Sequence, residues 1–311
     1  MWNSKHDKGH RMELIVIALG GNAISKRNEL LSIDNQYQNI NSTTKFIAKL
    51  ANKYRLVIVH GNGPQVGLLA LQNASYPNVP TYPLDVLVAQ TQGMLGYMIQ
   101  RSLQQYDNVN QVACVLTQVE VDSNDPSFKD PTKYIGPVYQ LEEQQKLQAQ
   151  YGWQFKQDGK YLRRVVASPK PQKIIELDTI KDLVNQDTIV ICNGGGGIPV
   201  IKDKSGYKGI EAVIDKDHSA AQLAIELKAD HLMILTDTDA VYEHWGTPQQ
   251  TALGKVDTKQ IQPMAIDDGA MGPKIKSVIE FVQQTGNTAY IGNLTDIESL
   301  LAQTKGTIIT Q

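Results

Sequence analysis

Cysteine is scarce in this 311-residue chain: the two present, Cys114 in VACVL and Cys192 in IVICN, stand far apart in apolar, strand-like runs. That spacing excludes a disulfide framework, a zinc finger and a CxxC redox motif, and two buried free thiols suit a reducing cytoplasm. An excess of charge of one sign is missing too. Thirty basic against 32 acidic residues leave a formal net charge of -2, which supplies no field for nucleic acid or an acidic membrane surface. No run reaches the roughly 18 apolar residues of a membrane helix, and MWNSKHDKGHRM lacks the apolar core of a secretion signal. The six histidines are scattered without zinc-ligand spacing. Two common nucleotide fingerprints are also absent, since neither G-x-x-x-x-G-K-[ST] nor a complete G-x-G-x-x-G occurs. The expectation is a small-molecule partner, with no nucleic acid and no membrane. Residues 1–11 read as a disordered extension or tag, with a natural start at Met12.

What the chain does hold is ordinary for a globular protein: 41% hydrophobic and 20% charged residues, over a length that suits one large or two medium domains. Leu14 to Leu19 (LIVIAL) is a continuous apolar run that stops at Gly20, Gly21 and Asn22, as a buried parallel strand entering a tight loop does. The same theme recurs where Leu56 to Val59 meets His60, Gly61, Asn62 and Gly63, with Pro64 placed to open a helix. It recurs again where Thr188 to Cys192 meets Asn193 and four glycines. Helical patterns over 36–53, 84–106 and 171–184 separate these runs, and strand, helix and strand follow at 232–235, 273–284 and 288–291, with a last short strand at 307–309. Such alternation predicts an α/β fold with a parallel sheet. The polar segment 121–164 interrupts the rhythm; with strand-like pieces near Trp153 and Tyr161 around an Asp158-Gly159 turn, it reads as a lid or protruding subdomain.

Glycine loops at the carboxyl ends of parallel strands present backbone N–H groups where ligands bind in open α/β sheets. The stretch EAVIDKDHSAA adds charge. Val213 and Ile214 read as the end of a strand, and Asp217 or Ser219 as the cap of a helix whose apolar face is Ala220, Leu223, Ala224 and Leu227. An exposed Lys-Asp pair at a helix start is the plain alternative for Lys216 and Asp217. Lys274 before another helix, Lys129 and Lys133 in the insertion, and Asp237 with Asp239 complete the charged candidates. His60 and His218 stand next to these segments, each either a ligand contact or a satisfied structural histidine. This inventory fits phosphoryl transfer, in which lysines and Mg²⁺ neutralise charge spread over oxygens and backbone amides hold the ends.

The ordered segments ALGGNAI (18–24), HGNGPQVG (60–67), TQGMLGY (91–97), DPTKYIGPVY (130–139), RRVVASPKP (163–171), CNGGGGIPV (192–200), EAVIDKD (211–217), LTDTDAVY (235–242) and GAMGPK (269–274) resemble the carbamate kinases of the amino-acid-kinase superfamily, over nearly everything from Met12 to Thr310. The resemblance implies a three-layer αβα sandwich with a central, mostly parallel sheet and a protruding subdomain. It implies residues 12–210 as a carbamoyl-phosphate-binding domain, with the lid at about 121–164, and 211–311 as a nucleotide-binding domain. It also implies reversible phosphoryl transfer between carbamoyl phosphate and ADP, with Mg²⁺ accompanying the nucleotide, in arginine or related catabolism, by a cytoplasmic homodimer. Lys216 would lie on the phosphoryl group, Asp217 would orient the lysines, Lys274 would reach in from the nucleotide side, and Lys133 would descend from the lid. Gly20, Gly21, Asn22, Gly61 and Asn62 would hold carbamoyl phosphate; Asp237, Tyr242, Met271 and Lys274 would surround ADP. Two departures stand out. The first strand, IVIALGG, lacks the lysine that most of the superfamily carries there, a charge Lys133 could replace. Tyr134 stands where the family pattern has Pro, so a less rigid lid is expected. Another kinase of the superfamily, or a non-catalytic nucleotide-binding homologue, are the alternatives.

Overall fold

The structure, a computed structural model, describes residues 11–26, 29–76, 78–266 and 270–311. The expected N-terminal extension therefore lies outside the described residues apart from Arg11, as does Gly269 of the GAMGPK segment. Among the described residues, eight strands make one sheet in the order Lys255–Asp257, Thr307–Thr310, Thr288–Asn293, His231–Thr236, Leu14–Leu19, Arg55–His60, Ile189–Ile191 and Val112–Cys114. Six run parallel; Thr307–Thr310 is antiparallel to its neighbour Thr288–Asn293, and Lys255–Asp257 follows its direction.

Leu14–Leu19 sits near the middle with all six residues buried, which is why it reads as an unbroken apolar run. Leu14, Val16 and Ala18 enter one core, against the helices Leu177–Asn185, Lys216–Glu226 and Gly272–Thr285. Ile15, Ile17 and Leu19 enter the other, against Ile33–Ala48 and Leu84–Leu103. Helices on both faces make the three-layer αβα sandwich.

The segment expected to form the lid holds a second, three-stranded sheet in the order Lys133–Tyr139, Tyr161–Val166, Gln154–Asp158, with the Asp158↔Tyr161 pair closing the expected hairpin. Its first strand, not foreseen in the sequence, lies against the Gly63–Ala74 helix. The Tyr134 hydroxyl donates to the Gln157 carbonyl (2.6 Å) across this sheet.

Two expectations are corrected. The helix anticipated over 171–184 begins only at Leu177, because Pro171–Ile174 is a strand antiparallel to Gln118–Val121 in a four-stranded sheet. Val213 and Ile214 are buried but in no strand; Val213 N–H donates to the Ala167 carbonyl instead of to a ladder partner.

Candidate active site

Leu14–Leu19, Arg55–His60 and Ile189–Ile191 are parallel neighbours, so their three glycine loops leave the sheet at the same end. The loops differ in use. Gly20 N–H donates to the Leu235 carbonyl (2.8 Å), and a Cβ on Gly20 would stand 2.8 Å from that oxygen, so glycine lets the first loop lie on the end of the adjacent strand. The 193–197 loop is buried rather than presented at the rim. Added Cβ atoms on Gly194 and Gly195 would collide with the His60 ring and the Asn62 amide, so this loop braces the second one from behind. Asn193 anchors it through Nδ2 to the Ser219 hydroxyl (2.8 Å).

The helix Lys216–Glu226 is capped by Asp215, not by Asp217 or Ser219: the Asp215 carboxylate accepts the N–H groups of Asp217 and His218. A cap one residue before Lys216 frees the Asp217 carboxylate for other partners. It accepts Lys216 Nζ at 2.5 Å on Oδ1 and Lys274 Nζ at 2.9 Å on Oδ2, so one carboxylate aligns two ammonium groups brought from two helix starts. All three side chains are nearly buried, at 5%, 12% and 14% exposure for Asp217, Lys216 and Lys274. Burial favours the neutral carboxyl, but the two lysines outweigh it and hold Asp217 well below the usual carboxylate range. Lys216 is pulled below the ordinary lysine value by burial, with Lys274 adding to the shift. Burial works against the charge on Lys274 as well, yet Asp217, with Asp215 and Asp237, keeps its pKa above the ordinary value.

Two cavities open beside this cluster. One, of about 670 Å³, is lined by Gly20, Gly21, Asn22, Lys26, Asp237 and Lys274. The other, of about 550 Å³, is lined by Asp237, Tyr242, Trp245, Met264, Met271 and Lys274. Lys274 and Asp237 belong to both walls, and Asp237 is tied to the first loop by Asn22 Nδ2 (2.8 Å). Gly61 lies over the Lys216 side chain, where a Cβ would sit 3.8 Å from Cδ. Asn62 is buried, its amide donating to Thr91 Oγ1 (2.8 Å), which places it under the loop rather than in the cavity wall.

The remaining candidates are also placed. Lys133 Nζ meets Asp215 Oδ2 at 2.6 Å, whereas Lys129 is exposed after the short turn Pro126–Phe128. His60 is buried, its Nδ1–H donating to the Gly61 carbonyl (3.0 Å), and burial pushes it from 6.5 down to about 4. His218 lines a separate cavity with Lys170, Gln172 and Glu280. Cys192 is buried and Cys114 half-buried. Sequence reading missed Asp215, Lys26 and Trp245. Asp215 carried a signal, an N-cap residue directly before a helix-starting lysine; Trp245 carried none beyond an aromatic in a polar loop.

The sequence profile of the "Amino acid kinase family" matches residues 13–293; the chain belongs to that family and is a kinase phosphotransferase. Within it the chain falls among the carbamate kinases. It is 54% identical over 299 residues to the carbamate kinase of Escherichia coli (strain K12), covering 96% of this chain and all of that one. To the carbamate kinase of Haemophilus influenzae it is 50% identical over 299 residues, 96% of either chain. The solved structure of carbamate kinase from Giardia lamblia bound to AMP-PNP is similar with a TM-score of 0.88 at 36% identity, covering 96% of this chain and 98% of that one.

Proposed function

We propose that the chain catalyses reversible phosphoryl transfer between carbamoyl phosphate and MgADP, giving ATP and carbamate, which falls to ammonia and CO₂. The observation that carries this reading is the Asp217 carboxylate gripping Lys216 and Lys274 where two cavities share a wall. A phosphoryl group in flight spreads negative charge over its oxygens, and fixed cations in a dry site stabilise that charge without reorganising. Lys216 lies on the transferring group, Lys274 serves it from the nucleotide side, and Asp217 keeps both aligned. Gly20, Gly21, Asn22, Gly61 and Asn62 shape the carbamoyl phosphate end, in the part of the chain before residue 211. Asp237, Tyr242, Met271 and Lys274 surround ADP in the part that follows. Lys133 supplies from the lid the charge that the first strand lacks.

Mg²⁺ is proposed to arrive on the nucleotide's phosphates. When bound, Mg²⁺ would neutralise phosphoryl oxygens beside Asp237. A cytoplasmic homodimer engaged in arginine or related catabolism completes the proposal. Val86 and Tyr97, exposed on the Leu84–Leu103 helix, offer apolar ground for a subunit contact.

The test is ATP formation from carbamoyl phosphate and MgADP, with a Lys216→Ala control. ATP no faster than in the control sinks the reading. ADP binding by calorimetry without turnover would mark a non-catalytic homologue, and turnover of acetylglutamate, aspartate or UMP would mark another kinase of the family.

A further inference from the structure

One carboxylate joins two parts of the molecule that are remote in sequence. Asp215 Oδ1 accepts the backbone N–H of Asp217 at 2.9 Å and of His218 at 3.3 Å, which closes the first turn of the helix that opens with Lys216. Asp215 Oδ2 accepts the Lys133 ammonium at 2.6 Å, from a lid strand 82 positions earlier. The carboxylate is largely buried while Lys133 remains 40% exposed, so the lysine has freedom to turn towards a ligand and the carboxylate does not. Burial favours a neutral Asp215, yet the Lys133 charge holds its carboxyl below the ordinary value.

The lid touches the body elsewhere too. Arg164 stacks on Trp153 with its guanidinium carbon 4.0 Å from the ring centroid, and pairs with Glu211 at 3.4 Å. Glu211 in turn accepts the Leu84 N–H (2.8 Å) at the start of the Leu84–Leu103 helix. That clasp leads away from the lysine cluster. The Lys133–Asp215 contact leads into it, because the next two residues are Lys216 and Asp217.

Building on the reading of Lys133 as a ligand of carbamoyl phosphate, we propose that Asp215 is a positioning residue. It holds Lys133 at the mouth of the site and sets the lid in register with the helix that carries Lys216. An ammonium group on a long flexible stem loses rotamer freedom when it engages a ligand; a carboxylate that already restrains it lowers the cost of ordering on binding. The residue therefore acts on the substrate that the lid covers and not on the nucleotide, whose assigned cavity has Lys274 in its wall but neither Asp215 nor Lys133.

Asp215→Asn separates the two tasks, since asparagine caps a helix as well as aspartate does but offers Lys133 no charge. The expected result is a KM for carbamoyl phosphate raised about tenfold, the scale of a charge-assisted hydrogen bond discounted for partial exposure, with the KM for ADP unchanged. Lys133→Met should act in the same direction. Adding Asp215→Asn to Lys133→Met should cost no more than about twofold, because coupled residues do not add. Equal effects on both Michaelis constants, or full multiplication of the two single effects, would overturn the proposal.

Amide hydrogen exchange gives a readout independent of turnover. Both variants should speed exchange in Lys133–Tyr139 and leave Lys216–Glu226 protected, and unchanged exchange in the lid strand would overturn the proposal. Should Asp215→Asn fail to fold, Lys133→Met decides alone by the same criterion. A wild-type protein that makes no ATP would refute the assigned reaction while leaving this exchange test intact.

Discussion

Gly67 on the Gly63–Ala74 helix and Gly136 on the lid meet backbone to backbone: a Cβ built on Gly67 would stand 2.1 Å from the Gly136 Cα. Gly136 has φ +71°, so both residues use what only glycine supplies, absence of a side chain at one and left-handed backbone at the other. This contact seats the lid strand that carries Lys133.

Gly67→Ala should therefore unseat the lid while leaving both cores intact. The expected outcome is a KM for carbamoyl phosphate raised roughly tenfold, from an overpacking cost of about 1–3 kcal/mol, with ADP affinity unchanged. Steady-state kinetics with each substrate varied in turn checks it; a matching loss for ADP would mean that the body of the protein had shifted as well.

Lys216→Ala should lower kcat on the order of 10²–10³-fold, as loss of a preorganised charge partner does, and change both Michaelis constants far less. Charge used only in the transition state acts that way. A loss taken up mainly in ground-state ADP binding would contradict the placement of Lys216.

Asp217→Asn should change the pH profile as well as the rate. Burial already lowers the pKa of Lys216, and Asp217 is the neighbour that resists this most strongly. Activity needs the protonated amine, so it declines as pH rises through that lowered value. Removing the carboxylate should move the alkaline limb to still lower pH, measured as kcat against pH; an alkaline limb that stays in place would mean another group titrates there.

His60 should make the native state acid-sensitive. Its folded value of about 4 lies below the ordinary 6.5, so between those pH values the unfolded chain binds a proton that the native imidazole refuses. Stability is then lost as pH falls through this window, by about 2 kcal/mol at pH 5. Denaturant midpoints at pH 7 and pH 5 should differ less in His60→Gln than in the parent, and parallel pH dependences would remove His60 from the account.

Trp245 is 65% exposed on the wall of the cavity assigned to ADP, with its ring 5.3 Å from that of Tyr242. An exposed aromatic beside a cavity suits stacking on a base, worth about 1–3 kcal/mol. Trp245→Ala should raise the KM for ADP and spare that for carbamoyl phosphate. Titration of tryptophan fluorescence with ADP gives an independent check, since the parent signal should change and the variant signal should not.

The fold was legible where burial on both faces leaves its mark as an unbroken apolar run, as in Leu14–Leu19 and in residues 232–235 of His231–Thr236. It was not legible at Pro171–Ile174, a four-residue strand with only Ile174 fully buried, whose pairing with Gln118–Val121 depends on residues some fifty positions earlier and leaves no local pattern. At the site, Lys216, Asp217 and Lys274 were legible as charged residues at helix starts near glycine loops, but their grouping around one carboxylate was implied by the family resemblance and not by any local pattern. The Asp215 cap was missed because Asp215, Asp217 and Ser219 are all competent caps within five positions, and only the backbone geometry selects one. The Lys133–Asp215 pair is a tertiary contact between a lid and a body, and nothing in the spacing of either segment specifies it.

The central strand has one more consequence, for the birth of the molecule. Leu14–Leu19 pairs on one side with Arg55–His60 and on the other with His231–Thr236. On a ribosome adding about 5–20 residues per second, the second of those partners emerges roughly 10 to 40 seconds after the first strand. For that interval a fully apolar strand has an open edge, a template for pairing with another chain. The strand Leu14–Leu19 is completed only when His231–Thr236 emerges, and the yield of folded protein depends on how well that edge is guarded while it waits.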